Sequence, residues 1–332
     1  MQQDVSDAIE RERLKFILDH QAHLERYLSP IADPEGKSVL VVGAGAGTEI
    51  LWCLERGAAS VTGIDLMPQS NHALEQALVQ RSVSGDYRVL EMGVEEAGSL
   101  GQTFDLVLSN NVFEHLSDVP EALRVCRKLT RPGSGRVAIF SSPLFYSSPG
   151  SHLDHLPWEH LWGDPDRLRD RLLAEGGLPE YHALRRADLD GFFQEIGLNR
   201  LTLNGLLDAV RETGLLILDF GIVKDRHAAH LQEYLPKLEP VCTEMGISVT
   251  DLAVEGFWLE MAVPAEAPAD ALASLMEARG LGPDLRALVS EVTAARARAE
   301  QLEDLLARVE KSPSLRIGRM VTAPFRKLRS LL

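Results

Sequence analysis

Three glycines alternate directly after an apolar run, in the segment SVLVVGAGAGTEI. They are Gly43, Gly45 and Gly47. Glycine permits a tight turn and lets the backbone approach a ligand closely, and the N–H groups at the start of a following helix suit an anionic group. The pattern predicts a cofactor-binding loop between a buried strand and a helix. It departs from the dinucleotide motif G-x-G-x-x-G, because the sixth position is Thr48.

Polar residues follow the later apolar runs of the same region. Asp65 ends the run VTGID, at a position where a carboxylate can accept both hydroxyls of a ribose. Met92–Val94 and Ser109–Asn111 follow the third and fourth runs. Because ligands of open α/β sheets bind outside the carboxyl ends of the strands, these residues and Gly43–Gly47 are predicted to line one crevice, the strand-end crevice.

Apolar runs and amphipathic segments alternate from residue 37 to residue 143. This alternation predicts an α/β fold with a doubly wound, Rossmann-like parallel sheet. The rhythm breaks over about 144–200, which predicts an insertion covering the crevice, and two further strands are predicted near 215 and 255. The predicted parts are an N-terminal helix (1–36), the sheet domain (37–264), a linker (265–284), a coiled-coil-like helix (285–310) and a basic amphipathic tail (311–332).

Composition excludes several classes of protein. The formal net charge of −15 argues against a nucleic-acid partner. Three scattered cysteines form no disulfide framework and no standard metal motif, so no metal is predicted and a reduced, cytoplasmic location is expected. Since no run of about 18 apolar residues occurs, no transmembrane helix is predicted.

The segments VLVVGAGAG, GID and FDLVLSNNVFEHLSDVPEALRVCRKLTRPGSGRVAIFSSP together resemble class I S-adenosylmethionine-dependent methyltransferases. The variety they resemble is the small-molecule group that includes the ubiquinone-type O-methyltransferases. The resemblance covers about residues 37–143. It implies a seven-stranded sheet with a late antiparallel hairpin, and S-adenosyl-L-methionine as the cofactor.

The resemblance also implies roles for individual residues. The loop of Gly43, Ala44, Gly45 and Gly47 would pass under the methionine moiety. Asp65 would hold the ribose and Leu66 would flank the adenine, while Gly93 and Val94 would face the adenine edge and Asn110 would lie by the methionine end. Two acids usual in the family are replaced here by Val41 and Gly93, and Glu91 or Glu95 is a candidate substitute.

Methyl transfer to a hydroxyl requires removal of its proton, and histidine is the usual base near neutral pH. His115 follows the fourth strand, where capping or packing is the alternative role. The segment SHLDHLPWEHLWGDP contributes the other candidates, His152, His155 and His160. Its residues could form the substrate pocket, bind a metal or build a structural lid, and its tryptophans could stack on a sugar or fill the lid. His20, His23, His227 and His230 are assigned to solvated faces.

The tail 311–332 contains six cations and no acid among apolar residues. Such segments bind anionic membrane surfaces, which predicts peripheral contact with the inner face of the membrane; folding back onto the acidic body is the alternative. A heptad-like seam over 285–309 predicts a homo-oligomer, with packing on its own domain as the alternative.

The ending RVEKSPSLRIGRMVTAPFRKLRSLL also resembles tails of bacterial envelope-polysaccharide enzymes. The predicted function is therefore O-methylation of a sugar hydroxyl in a glycan acceptor. The alternatives are methylation of a quinone, phenol or other small metabolite, and a catalytically degenerate partner protein. A nicotinamide enzyme is disfavoured by Thr48.

Overall fold

The computed structural model describes residues 2–66, 71–150, 157–164, 167, 170 and 198–264. The chain divides into two units, Met1–Glu266 and Ala267–Leu332. The predicted linker, coiled-coil-like helix and basic tail lie outside the described residues, as does most of the predicted insertion.

Seven strands form one sheet, in the order β3-β2-β1-β4-β5-β7-β6. The first five strands are parallel, and β7 runs antiparallel to both β5 and β6. This sheet confirms the doubly wound fold with a late hairpin. The strands are β1 (Ser38–Val42), β2 (Ser60–Asp65), β3 (Tyr87–Glu91), β4 (Leu106–Asn110), β5 (Arg136–Ser141), β6 (Leu216–Lys224) and β7 (Val254–Ala262).

Helices connect the strands and cover both faces of the sheet. Where one N-terminal helix was expected, the structure has two, separated at His20. The described helices are α1 (Gln2–Asp19), α2 (Gln21–Tyr27), α3 (Thr48–Glu55), α4 (His72–Arg81), α5 (Val119–Leu129), α6 (Glu159–Trp162), α7 (Leu203–Thr213), α8 (Leu231–Met245) and α9 (Val249–Leu252). Short 3₁₀ turns occur at Ala97–Leu100, Phe113–His115 and Ala228–His230.

The central strand β1 shows why this sequence forms a sheet covered on both faces. Successive side chains of a strand point to opposite faces. Leu40 and Val42 accordingly enter one hydrophobic core, and Val39 and Val41 enter the other. A continuous apolar run is therefore needed, as is typical of buried parallel strands.

A third, smaller core lies beside the sheet. Trp158 and Leu161 pack there against Leu238 of α8 and Leu252 of α9. Trp158 is 0% exposed, and its Nε1 donates a hydrogen bond to the Leu252 carbonyl at 3.2 Å. Of the two roles considered for the tryptophans, Trp158 thus fills a structural core and has no face on which a sugar could stack.

Candidate functional site

The glycine loop between β1 and α3 has a backbone that few other residues could adopt. Gly43 has φ +76°, and a Cβ there would lie 2.1 Å from Cγ2 of Val112. Gly45 has φ +46°, and a Cβ there would meet no atom within 4 Å. Ala44 packs into the core, with its N–H donating to the Ile64 carbonyl at 2.9 Å. The loop is thus held against β2 while its Gly45 turn faces open space.

Asp65, at the end of β2, fixes this loop directly. Its Oδ2 accepts a hydrogen bond from the Gly45 N–H at 2.9 Å. The next residue, Leu66, is 69% exposed, and its Cδ2 lies 3.2 Å from where a Cβ of Gly93 would be. Leu66 and Gly93 therefore face each other across the ends of β2 and β3, and the exposed leucine offers an apolar surface there. The neighbouring Val94 is buried in the core.

Glu49 and Asn110 meet at the other end of the glycine loop. Asn110 ends β4, and its Nδ2 donates to Oε1 of Glu49 at 2.7 Å. Burial raises the pKa of Glu49 to about 7, and the hydrogen bond from Asn110 lowers it in part. Val41, which stands where the family usually has an acid, is buried in the core. The buried acid beside the loop is Glu49, a position that sequence reasoning did not single out.

Gly93 is the second position where the family usually has an acid, and the three acidic residues near it in the sequence lie in different places. A Cβ on Gly93 would lie 2.9 Å from Oε2 of Glu95, and the Gly93 N–H donates to Oε2 of Glu96 at 3.3 Å. Glu91 is exposed at the end of β3. Of the two candidate substitutes, Glu95 is the one that the structure places against Gly93.

Glu114 and His115 follow β4 but point in different directions. Glu114 is 1% exposed and is hydrogen-bonded to the Ser141 hydroxyl at the end of β5. Burial raises the pKa of Glu114 to about 8, so this carboxyl is protonated at neutral pH. The candidate base His115 is exposed. The buried acid rather than the histidine thus connects the ends of β4 and β5.

The candidate His160 lies in the small third core. Its Nε2 is 2.6 Å from the Phe145 carbonyl oxygen, and its ring packs edge-on against the Phe145 ring. Burial lowers the pKa of His160 to about 4, so the imidazole is neutral at physiological pH. Within the described residues, no contact joins His160 to Asp65 or Asn110. The remaining candidates, His152 and His155, lie outside the described residues.

His23 does not lie on a solvated face, so that assignment was wrong. Its ring centroid is 4.8 Å from that of Tyr27 and 5.3 Å from that of Phe140. Its Nε2 is buried. Burial and the nearby His20 lower the pKa of His23, and Asn110 partly opposes this effect. The imidazole therefore lies at the ends of β4 and β5. The clue in the sequence is its place next to Leu24 and four residues before Tyr27, on the inward side of α2.

His227 is a second correction. It is half-buried, and its Nδ1 lies 2.9 Å from the Ser148 hydroxyl. The Asp225 carboxylate accepts hydrogen bonds from the backbone N–H groups of both residues. His227 therefore helps to hold the loop after β5, and His230 lies on the surface beside Glu233.

Among the described residues, no group of three or more histidine, cysteine or acidic side chains could hold a metal ion. In the same part of the chain, no helix is long and apolar enough to cross a membrane.

Comparison with known proteins connects this geometry to a family. Residues 40–139 match the family described as "Methyltransferase domain". The chain is 29% identical, over 184 residues, to a protein named ubiquinone biosynthesis O-methyltransferase from Xanthomonas axonopodis pv. citri (strain 306), covering 54% of this chain and 70% of that protein. It is 36% identical, over 99 residues, to a protein of the same name from Rhizobium leguminosarum bv. trifolii (strain WSM2304), covering 30% of this chain and 38% of the relative. The chain thus spans less than half the length of the second relative.

Among solved structures, the chain is similar to an S-adenosylmethionine-dependent methyltransferase from Mesorhizobium loti. The identity is 17%, the match covers 70% of this chain and 94% of the other, and the TM-score is 0.39. The assignment therefore rests on the domain match and the sequence relatives, which agree with the strand order and the glycine loop. They identify residues 40–139 as a class I S-adenosylmethionine-dependent methyltransferase domain, with S-adenosylmethionine as its cofactor.

Proposed function

We propose that this methyltransferase methylates a hydroxyl group, and that the acceptor is a phenol. The observation that carries the choice of a phenol is the aromatic cluster at the ends of β4 and β5, in which the half-buried His23 and Tyr27 pack on the buried Phe140. The Tyr27 and Phe140 rings are stacked with their centroids 4.4 Å apart. Aromatic side chains favour flat aromatic partners through offset and edge-to-face packing. The sequence relatives named ubiquinone biosynthesis O-methyltransferase support the same class of acceptor.

The strand-end crevice fits S-adenosylmethionine in four respects. The Gly45 turn leaves space that any larger residue would fill. The Asp65 carboxylate suits the ribose hydroxyls, and the exposed Leu66 opposite Gly93 provides an apolar surface for the adenine. Asn110 has a buried Oδ1 that makes no hydrogen bond of standard geometry within the described residues. A hydrogen-bond acceptor such as this oxygen suits the ammonium group of the methionine moiety.

We assign Glu49 the part of the missing family acid. Its carboxyl lies beside Asn110, whereas Val41 is in the core. With a pKa of about 7, the protonated and ionised forms of Glu49 are similarly populated at neutral pH, and a bound cation favours the ionised form. The methionine end would therefore be held by Glu49 and Asn110 together.

The bound cofactor supplies an electrophilic methyl group on a sulfonium. The chain's own task is to orient the acceptor oxygen in line with that methyl, to exclude water and to receive the hydroxyl proton. Asn110-Asn111-Val112-Phe113 stands where methyltransferases that act on amino groups of nucleic acids and proteins have a tetrapeptide of the Asn-Pro-Pro-Tyr type. A hydroxyl acceptor is therefore favoured over an amide or a base.

The predicted sugar hydroxyl is the second candidate. Its support is the resemblance of the tail to those of envelope-polysaccharide enzymes, together with Trp162, which is half-buried. Trp158 lends none, because it is fully buried. Under this proposal the tail 311–332 would contact an anionic membrane surface and 285–309 would pair with a second copy of the chain.

A screen of both acceptor classes tests the proposal. The purified chain is incubated with S-adenosylmethionine and 3,4-dihydroxybenzoate, 4-nitrocatechol or UDP-glucose, and S-adenosylhomocysteine is measured. Methylation of the catechols but not of the nucleotide sugar is expected. The reverse preference would replace the phenol by the sugar. S-adenosylhomocysteine formation with none of them, on a chain that binds the cofactor, would contradict both candidates.

A further inference from the structure

Helix α2 covers the carboxyl ends of β4 and β5, at the end of the crevice assigned above to the methionine moiety. It is held there by the side chain of Gln21, whose Nε2 donates to the Thr48 carbonyl at 3.3 Å. Two residues further along, His23 packs edge-on against Phe140. The N-terminal helices thus bring one imidazole to the place where methyl transfer would occur.

Two buried polar atoms meet at this place. Nε2 of His23 and Oδ1 of Asn110 are both buried, and neither makes a hydrogen bond of standard geometry within the described residues, although the Asn110 side chain lies close enough to act on the imidazole. Buried polar atoms are nearly always paired in native proteins, so we infer that a ligand hydroxyl between the imidazole and Asn110 would complete the hydrogen bonding of both side chains.

We propose that His23 is the catalytic base that removes the proton from the acceptor hydroxyl. This inference rests on the hydroxyl acceptor proposed above. The acceptor O–H bond breaks and its proton passes to an imidazole nitrogen of His23. The freed oxygen electron pair forms a bond to the methyl carbon, the carbon–sulfur bond breaks, and its electron pair stays on sulfur as S-adenosylhomocysteine. The imidazolium then returns its proton to water, so the protein is unchanged.

The charges around His23 keep it ready to accept a proton. Burial lowers its pKa, and His20 and Arg26 on the neighbouring turns act in the same direction. Asn110 opposes them through its carbonyl oxygen, and Glu49 lies behind Asn110. The imidazole is therefore neutral at pH 7, which is the form that a base requires.

The other described histidine candidates are less well placed. His115 is exposed on the turn after β4. His160 is surrounded by the small third core, with Nε2 directed at the Phe145 carbonyl. His23, by contrast, contacts Phe140 of β5 and lies beside Asn110 at the end of β4.

The position of His23 can be tested without any acceptor. The full chain is saturated with S-adenosylmethionine carrying a ¹³C-labelled methyl group, and nuclear Overhauser effects from that methyl are recorded. We expect an effect to an imidazole ring proton that disappears in His23→Gln and persists in His20→Gln. His20 is the matched control, because it is a histidine three residues away whose ring packs on Phe16. No effect to any histidine in the saturated protein would overturn the proposal.

The catalytic role is tested with the catechol probes. Loss of a general base typically costs 10²–10⁴-fold in rate, so His23→Gln should lower kcat by about that factor while the His20→Gln plateau stays unchanged. The wild-type rate should fall in acid, at a lower pH than for a free imidazole because the pKa of His23 is lowered, and His23→Gln should lack this limb. Imidazole added to His23→Ala should restore part of the rate. The more acidic hydroxyl of 4-nitrocatechol should suffer less from either substitution, a difference that misfolding alone would not produce.

The outcomes separate the two proposals. If wild type and His23→Gln methylate catechols at the same rate, the role of His23 is overturned and the proposed function stays intact. A wild type that methylates no hydroxyl probe would overturn the proposed function, and the role of His23 with it. Cofactor titration and circular dichroism of each variant show that a lost rate is not a lost fold.

Discussion

Substitution of Glu114 by glutamine should make the stability of the protein less sensitive to a rise in pH from about 5 to about 8. Glu114 is 1% exposed, it is hydrogen-bonded to Ser141, and its Oε1 is buried without a hydrogen-bond partner. Burial raises its pKa from 4.5 to about 8. Between these values the unfolded chain releases the proton while the folded chain keeps it, so stability falls as the pH rises. Glutamine has almost the same shape and cannot ionise.

The size of this effect follows from the shift in pKa. Each pH unit in this window costs about 1.4 kcal/mol, so by pH 7 Glu114 lowers the free energy of unfolding by about 3 kcal/mol relative to pH 4.5. Other groups titrate in the same window, Glu49 in the same direction and His23 and His160 in the opposite one. Comparing wild type with the variant cancels their contributions.

Urea unfolding at pH 5, 6, 7 and 8 provides the assay. The two proteins should be of similar stability at pH 5, and Glu114→Gln should become more stable than wild type by about 1.4 kcal/mol for each further pH unit, levelling off near pH 8. Parallel pH dependences from pH 5 to pH 8 would show that Glu114 is not held protonated, and the account of the connection between β4 and β5 would be wrong.

Three further perturbations follow from the structure. Gly43→Ala should destabilise the fold by more than Gly36→Ala and weaken cofactor binding, since both have positive φ but only at Gly43 would the Cβ collide, with Val112; equal losses in urea unfolding would contradict the steric argument. Trp158→Ala should cost about 3–5 kcal/mol in the same assay because it empties a buried site, and a loss below 1 kcal/mol would show that the small third core is not part of the cooperative fold. Deletion of 311–332 should release the chain from phosphatidylserine vesicles in sedimentation while catechol methylation persists; undiminished vesicle binding would refute the role of the tail.

The sheet could be predicted because its signal is local. The apolar run Val39–Val42 must be buried on both faces, and the glycines that end it mark the turn into a helix. No such local signal predicts that β7 lies between β5 and β6. The prediction of a late antiparallel hairpin came from the family resemblance. Asp65 and Asn110 were accessible to the same reasoning, since each ends a strand and all such ends meet at one edge.

The buried polar groups could not be predicted, because their environment is created by distant segments. Glu49 has the sequence position of an acid in the first turn of a helix, which is usually solvated, but the end of β4 covers it. His23 has the spacing of an inward-facing position, and only the approach of Phe140 and Asn110 shows what it contacts. His115 was chosen as a candidate base by its residue type and sequence position. The structure exposes its side chain and buries that of the neighbouring Glu114 instead.

Titration calorimetry with S-adenosylmethionine tests the central claim most directly. The claim is that the strand-end crevice binds this cofactor, with Asp65 on the ribose. Wild type should bind, and Asp65→Ala should lose about 1–3 kcal/mol of binding free energy, the scale of hydrogen bonds to a charged group. Glu75→Ala, which removes an exposed acid from α4, should bind like wild type. No heat from the wild type, or equal affinity in wild type and Asp65→Ala, would contradict the account.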